Sequence, residues 1–218
     1  MKKLFTVLAV LLVATALFAG VTVKAGGTFA FVNQNSTVVD GEKTNIKAHG
    51  FGFGVGAQYD VADNLAAYAE FNMEFPKDAL LSEDGEEVKA SEMAEEMDAT
   101  HRLNFFSISA GVAYKLDFDA VKLAVGGGLT FNRAGIVLKA EEGSIKLSSS
   151  SIGLNVLVDA KYMFTENIGA GVTLNPQLGL YNIMKYVITE DDESETEKIN
   201  GFAIGFAMPI TVGVSYTF

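Results

Sequence analysis

A period of two runs through most of this chain and limits what it can fold into. Eight segments alternate a large apolar side chain with a small or polar one; in the clearest, Phe51, Phe53 and Val55 alternate with glycines. Such alternation is typical of β-strands whose two faces meet different surroundings. The sequence therefore predicts an all-β fold, an eight-stranded antiparallel up-and-down barrel.

The connections between these segments alternate in length. Short turns are predicted at 60–64, 117–120 and 165–167, and long polar loops at 33–47, 76–102, 133–147 and 182–200. Transmembrane barrels of the outer membrane show this asymmetry, with short periplasmic turns and long external loops. An even number of strands would then place both termini in the periplasm.

The large apolar face carries no Lys, Arg, Asp or Glu, and His49 is its one ionisable residue apart from tyrosines. A charge near the bilayer midplane would cost roughly 2–4 kcal/mol, so this face suits contact with lipid. The opposite face is mainly Gly, Ala, Ser and Thr, which suits a narrow lumen. A soluble lipocalin-like barrel is the alternative, but its exterior should carry many Lys and Glu.

Tyrosines recur at one end of the predicted lipid face. Each closes a strand that descends towards a short turn or the C-terminus, and bilayer interfaces collect such amphipathic rings. The sequence therefore predicts a periplasmic aromatic girdle of Tyr59, Tyr114, Tyr162 and Tyr216.

The N-terminus reads as a secretory signal peptide. Lys2 and Lys3 precede an apolar run that is too short to span a bilayer comfortably. We predict a signal peptide at 1–19, cleaved after Ala19 or alternatively after Ala16, and a barrel at 20–218. The chain has no Cys and hence no disulfide framework, and its net charge of -11 argues against nucleic acid as a partner.

Several charged residues are predicted to point into the lumen near its periplasmic end. Lys24, Lys115, Lys122 and Lys161 lie there on the inward face, and buried charges need partners. We predict a lumen charge cluster in which Glu70 pairs with Lys115 or Lys122 and closes the water path; its members are Glu70, Lys115, Lys122, Asp159 and Lys161. The alternative is that these lysines reach water at the rim.

No catalytic, cofactor or metal site is predicted. His49 and His101 are the two histidines, and no His cluster has metal-ligand spacing. The predicted loops are acidic instead: 76–102 holds nine acidic against three basic residues, and 182–200 holds six against two. These charges could recruit divalent cations or basic surface partners, or simply be solvated. Ser91–Asp98 could form a short helix.

The final strand carries the most specific family signal. Ile210, Val212 and Val214 alternate up to Tyr216 and Phe218, and similar turn-flanking stretches run from Tyr59 to Leu65 and from Tyr162 to Ile168. The chain resembles the small eight-stranded barrels of the OmpA transmembrane-domain, OmpX, OmpW and opacity-protein type.

That resemblance implies a place in the bacterial outer membrane, in contact with its lipid. It also implies that Tyr216 and Phe218 form the signal read by the barrel assembly machinery. The expected role is structural and surface-exposed, without catalysis. The alternative is a narrow channel for small or hydrophobic solutes, favoured by Gly and Ala runs that could leave lumen volume unfilled.

Overall fold

Antiparallel strands form a closed ring in the computed structural model, which describes residues 20–37, 43–83, 86–141, 143–190 and 193–218. The elements are β1 (Val21–Thr37), β2 (Lys43–Ala62), β3 (Leu65–Glu83), β4 (Glu86–Lys89), α1 (Ala90–Glu96), β5 (Thr100–Phe118), β6 (Val121–Lys139), β7 (Gly143–Met163), β8 (Ile168–Leu174), β9 (Gln177–Glu190) and β10 (Glu193–Thr217). The signal peptide predicted at 1–19 lies outside the described residues.

The ring has eight wall strands in the described part of the chain. Sequential neighbours pair throughout, β10 pairs with β1 to close the ring, and the short β4 pairs only with β3. The seventh wall strand is made of β8 and then β9, both lying between β7 and β10. The predicted eight-stranded up-and-down barrel is confirmed.

A proline divides the seventh wall strand. Pro176 has no N–H to donate to a ladder, so regular pairing stops between β8 and β9. Two hydrogen bonds bridge the gap: the Val156 N–H donates to the Pro176 carbonyl at 2.9 Å, and the Asn175 N–H donates to the Pro209 carbonyl at 3.1 Å. Both pieces therefore remain part of the wall.

Short connections and both described ends of the barrel lie together. Residues 63–64, 119–120 and 164–167 form the three turns. The Phe218 N–H donates to the Val21 carbonyl at 3.0 Å, which joins the last residue to the start of β1. We call this the turn end and the opposite end the loop end.

The four segments predicted as long polar loops are mostly strand, and that part of the prediction is wrong. β6 shows the reason, because its alternation continues past Phe131 with reversed polarity. Leu129 points outward at 66% exposure, whereas beyond Arg133 the inward Ile136 and Leu138 are buried. A barrel segment surrounded by water buries its apolar side chains inside, so the strands extend well beyond the lipid-facing zone.

Large apolar side chains cover the outside of the turn-end half. Val112 and Val214 are 54% and 63% exposed on this surface. The apolar face points outward there, as lipid contact requires and as the alternation predicts.

The inward glycines of β2 make room for longer side chains from neighbouring strands. A Cβ at Gly56 would lie 2.5 Å from Glu70 Oε2, and one at Gly54 would lie 2.5 Å from Asn72 Oδ1. At Gly54 and Gly56, side chains from neighbouring strands therefore occupy the space that the glycines leave.

Helix α1 closes the loop end from inside. Its Ala90 and Ala94 are buried against inward residues of five wall strands: Ile46, Ala79, Leu103, Ile136, Leu138 and Met184. The helix overlaps the predicted Ser91–Asp98. No described helix is long and apolar enough to cross a bilayer.

Candidate functional site: the barrel interior

Two lysines and two carboxylates meet inside the turn-end half of the barrel. Lys24 Nζ lies 2.7 Å from Glu70 Oε1 and 3.0 Å from Asp159 Oδ1. Lys161 Nζ lies 3.4 Å from Asp159 Oδ2. All four side chains are at most 10% exposed. Their formal charges cancel, so the four residues form a neutral group, which we call the charge cluster.

Neutral polar groups complete the charge cluster. Thr173 accepts a hydrogen bond from Lys24 Nζ at 2.8 Å and donates to Asp159 Oδ1 at 2.7 Å. Gln58 donates to Asp159 Oδ2 at 3.0 Å and accepts from Lys161 Nζ at 3.1 Å. Buried ion pairs persist only when such additional hydrogen bonds offset the loss of water.

Strand register explains why Lys24 and Glu70 meet. Lys24 lies opposite Gly56, and Gly56 lies opposite Glu70 on its other side, so the two charges are at one level and a glycine separates them. A Cβ at that glycine would lie 2.6 Å from Lys24 Cε. A glycine between two opposite charges in register is therefore the sequence signal for this pair.

The structure brings together only part of the predicted lumen charge cluster. Glu70, Asp159 and Lys161 belong to the observed charge cluster. The predicted pairing of Glu70 with Lys115 or Lys122 is wrong, because Glu70 pairs with Lys24. Lys115 lies 2.6 Å from Asp60, and Lys122 lies 2.9 Å from Asp117. Both carboxylates are beside the turns and over 40% exposed, so these two lysines are rim residues, as the alternative held.

A layer of amides and hydroxyls fills the lumen above the charge cluster. One continuous chain of polar contacts of 2.8–3.5 Å crosses it. Its members come from six of the wall strands: Thr28, Tyr68, Asn72, Ser107, Ser109, Asn155, Asn175, Gln177 and Thr211. Because every member is buried, the network fills this part of the lumen and stabilises it.

The loop-end interior is apolar. Phe105 is 1% exposed and packs with Ala30, Val32, Ala134 and Ala207, and the residues around α1 lie beyond them. The interior thus changes from charged through polar to apolar along its length.

Asp78 holds α1 in this position. Its carboxylate accepts hydrogen bonds from Ser91 Oγ at 2.6 Å, from the Ser91 N–H at 3.1 Å and from the Ala79 N–H at 2.8 Å. Partial burial raises the pKa of Asp78, but these hydrogen bonds outweigh it and bring the pKa below its ordinary value. The charged form therefore satisfies the Ser91 N–H, one of the donors that the first turn of a helix leaves free.

Little space remains inside the turn-end half. A cavity beside Lys24, Asp159 and Thr173 has a volume of about 10 Å³. That is roughly the space that one water molecule needs. Side chains of the charge cluster and the polar layer occupy this described part of the lumen.

The remaining predicted residues lie on the outer surface or at the loop end. Tyr59, Tyr114, Tyr162 and Tyr216 are 44–53% exposed at the turn end of the outer face, and Tyr216 contacts Phe218 with ring centroids 4.8 Å apart. Their roles as a girdle and as an assembly signal stay predictions.

The two histidines lie apart at the loop end. The His49 ring centroid is 6.2 Å from that of Phe29, and His101 Nε2 hydrogen-bonds with the Lys77 carbonyl at 3.1 Å. Within the described residues, no group of three or more His, Cys, Asp or Glu side chains is arranged to hold a metal ion.

The sequence matches the family described as outer membrane protein beta-barrel domain over residues 5–218. The chain belongs to this family, and its location is the bacterial outer membrane. Since outer-membrane barrels keep their short turns in the periplasm, the turn end is periplasmic and the loop end external.

Solved structures share the fold at low sequence identity. A major outer membrane protein from Thermus thermophilus is 18% identical with a TM-score of 0.62, covering 90% of this chain and 99% of that one. OprG from Pseudomonas aeruginosa is 16% identical with a TM-score of 0.59, covering 92% and 96%. Neisserial surface protein A is 20% identical with a TM-score of 0.53, covering 92% and 98%. A comparison with curated proteins found no match.

Proposed function

We propose that this protein is a closed structural barrel that presents its loop end at the cell surface and neither catalyses a reaction nor conducts solutes. The filled interior carries this proposal. A conducting barrel needs a continuous path, whereas here three successive layers of side chains occupy the lumen. An eight-stranded barrel is normally just wide enough for its own side chains.

The external part of the barrel supports a surface role. The wall strands continue far beyond the lipid-facing zone, and the tips of the two largest hairpins carry exposed Glu86, Glu87, Glu190 and Glu195. Such tips would attract divalent cations or basic partners. Neisserial surface protein A, which shares the fold, carries a surface role in its name.

Conductance of the refolded protein in planar bilayers tests the closed interior. We expect no reproducible steps above the baseline in 1 M KCl, in bilayers where a wide porin gives clear steps. A variant with residues 89–98 replaced by a Gly-Ser linker should also stay closed, because the charge cluster and polar layer remain. Reproducible steps from the unaltered protein would contradict the proposal and favour the narrow channel.

Calcium titration of the barrel in nanodiscs tests the acidic tips. Saturable binding that weakens in the variant E190Q/E195Q is the expected result. The titration is followed by isothermal calorimetry, and heats identical to those of empty nanodiscs would show that the tip charges are only solvated.

A further inference from the structure

Six cationic side chains share one outer face of the barrel at the loop end. All are exposed, and they lie on neighbouring wall strands β5, β6, β7, β9 and β10. We call this set the basic wall: Arg102, Arg133, Lys139, Lys146, Lys185 and Lys198.

Strand register places these cations close together. Lys185 lies directly opposite Lys198 on β10, and Arg102 and Lys146 both lie opposite Val137, one on each side. Like charges directly opposite each other in a sheet destabilise it. The arrangement therefore calls for counter-charges that the neighbouring strands do not supply.

Carboxylates are absent from this face in the described part of the wall. The other outward residues on the same pairing rows are Asn, Gly, Ser, Thr, Val, Ile and Phe. None of the six cations forms an ion pair with a described carboxylate, whereas Lys47 and Lys89, elsewhere on the barrel, pair with Glu87 and Glu92. Among the residues that the structure describes, the basic wall is thus a patch of positive charge without paired carboxylates.

The basic wall begins where the lipid-facing surface ends. The pairing row beneath it consists of Ile108, Phe131, Ile152, Tyr181 and Phe202. Arg133 lies two residues beyond this row, about 7 Å along its strand, and Lys185 and Lys198 lie four residues beyond it, about 14 Å. Arg102 and Lys146 lie about 20 Å beyond the row, and Lys139 about 27 Å. Arg133, Lys185 and Lys198 are therefore the members nearest the headgroup region of the outer leaflet.

We propose that the basic wall binds phosphate-bearing lipid headgroups of the outer leaflet. A membrane-embedded barrel meets headgroups all around it at this height, and basic clusters beside a bilayer attract anionic lipid. Arg102 and Arg133 can also bind phosphate oxygens through two parallel hydrogen bonds. The inference does not depend on whether the lumen conducts, and it concerns the wall rather than the acidic tips.

Native mass spectrometry of the folded barrel in zwitterionic detergent, titrated with bisphosphorylated lipid A, tests the binding. The variant R133Q/K185Q/K198Q should bind this lipid about tenfold to a hundredfold more weakly. The matched control K47Q/K89Q/K122Q also loses three positive charges, but none from the basic wall, and should bind like the unaltered protein. Heat-modifiable gel migration checks that each variant is folded.

Two further measurements show whether the bound group is the phosphate of a lipid. Dephosphorylated lipid A should bind much more weakly, and inorganic phosphate at the same concentration should not compete. Equal binding by the wall variant or by dephosphorylated lipid would overturn the proposal. Effective competition by inorganic phosphate would show a site for free phosphate and not for a lipid.

Discussion

The turn-end and loop-end halves of this barrel are built from the same strands but place their apolar side chains on opposite sides. In β6, Leu129 and Phe131 face outward beside small inward residues, whereas Ile136 and Leu138 face inward beside an outward Arg133. The backbone pairing with β7 continues without a register shift across this change. The surroundings, not the strand geometry, change at that level.

The same reversal in neighbouring strands shows what sets it. Ser107 and Ser109 face the lumen in β5, but Leu103 and Phe105 face it nearer the loop end. Lipid tolerates apolar side chains outside and leaves polar groups to satisfy one another inside, while water favours the reverse. The reversal therefore marks the outer boundary of the membrane along each strand.

Loss of one charge from the turn-end interior should lower the free energy of unfolding more than any other substitution considered below. Glu70→Gln would leave Lys24 with one carboxylate partner fewer, and breaking a buried ion pair costs about 3 kcal/mol or more. Urea unfolding in phospholipid vesicles would measure this loss of unfolding free energy. Glu74→Gln is the matched control, since Glu74 is also buried on β3 but forms no ion pair with a described residue. Equal destabilisation by both variants would show that the ion pair is not what matters.

A charge on the outer face should distinguish the two halves. Val112→Arg places a cation on the lipid-facing wall, at a cost of roughly 2–4 kcal/mol. Val88→Arg places the same cation on the exposed strand β4 at the loop end, opposite Leu81 and not opposite another cation, and should change stability little. Folding yields into vesicles compare them, and similar yields would mean that the outer boundary is misplaced.

Removal of a single methyl group should give a smaller difference in stability between the two halves. Ile136→Val leaves a gap in the apolar loop-end interior and should cost about 1 kcal/mol. Ile152→Val removes the same group from the lipid-facing wall, where mobile lipid chains can fill the space. If the second variant is destabilised as much as the first, the outer surface at that level is packed against something other than lipid.

The attachment of α1 should show the smallest and most local effect. Asp78→Asn weakens the hydrogen bonds to Ser91 and should cost about 1 kcal/mol, the usual cost of a lost helix cap. Because the pKa of Asp78 is lowered in the fold, its contribution is complete above its ordinary value of 3.8 and is lost as the pH falls through the lowered value. The protection factors of amides 90–99, taken against the intrinsic exchange rate at each pH, should therefore fall at low pH, and protection that is unchanged in the variant would contradict this role.

The sequence predicts the fold best where the apolar residues of the alternating pattern face lipid. Charge-free outward faces such as that of Phe51 and Val55 predicted the barrel and its lipid-facing side. The loop-end strands resemble loops in composition because their outward residues are polar. Yet the stretch from Arg133 to Lys139 still alternates, with Ala134, Ile136 and Leu138 inward. That reversed alternation was the available signal.

The interior was harder to predict because its contacts cross the lumen. The rim lysines Lys115 and Lys122 look the same in sequence as Lys24, and only the register shows that Asp60 and Asp117 lie within their reach. The contact between Lys24 and Asp159 joins residues 135 positions apart on strands that are not neighbours. Alternation fixes which face a side chain occupies, but not which side chain it meets across the barrel.

A spin-label depth scan along β6 tests the central claim most directly. The chain has no native Cys, so single cysteines at the outward positions 129, 131, 133, 135 and 137 can be labelled one at a time. In lipid bilayers, labels at 129 and 131 should collide mainly with oxygen, and those at 135 and 137 mainly with a water-soluble nickel complex, with the crossover near 133. Oxygen-dominated collisions through position 137 would contradict the account, because the reversed alternation would then lie within the membrane.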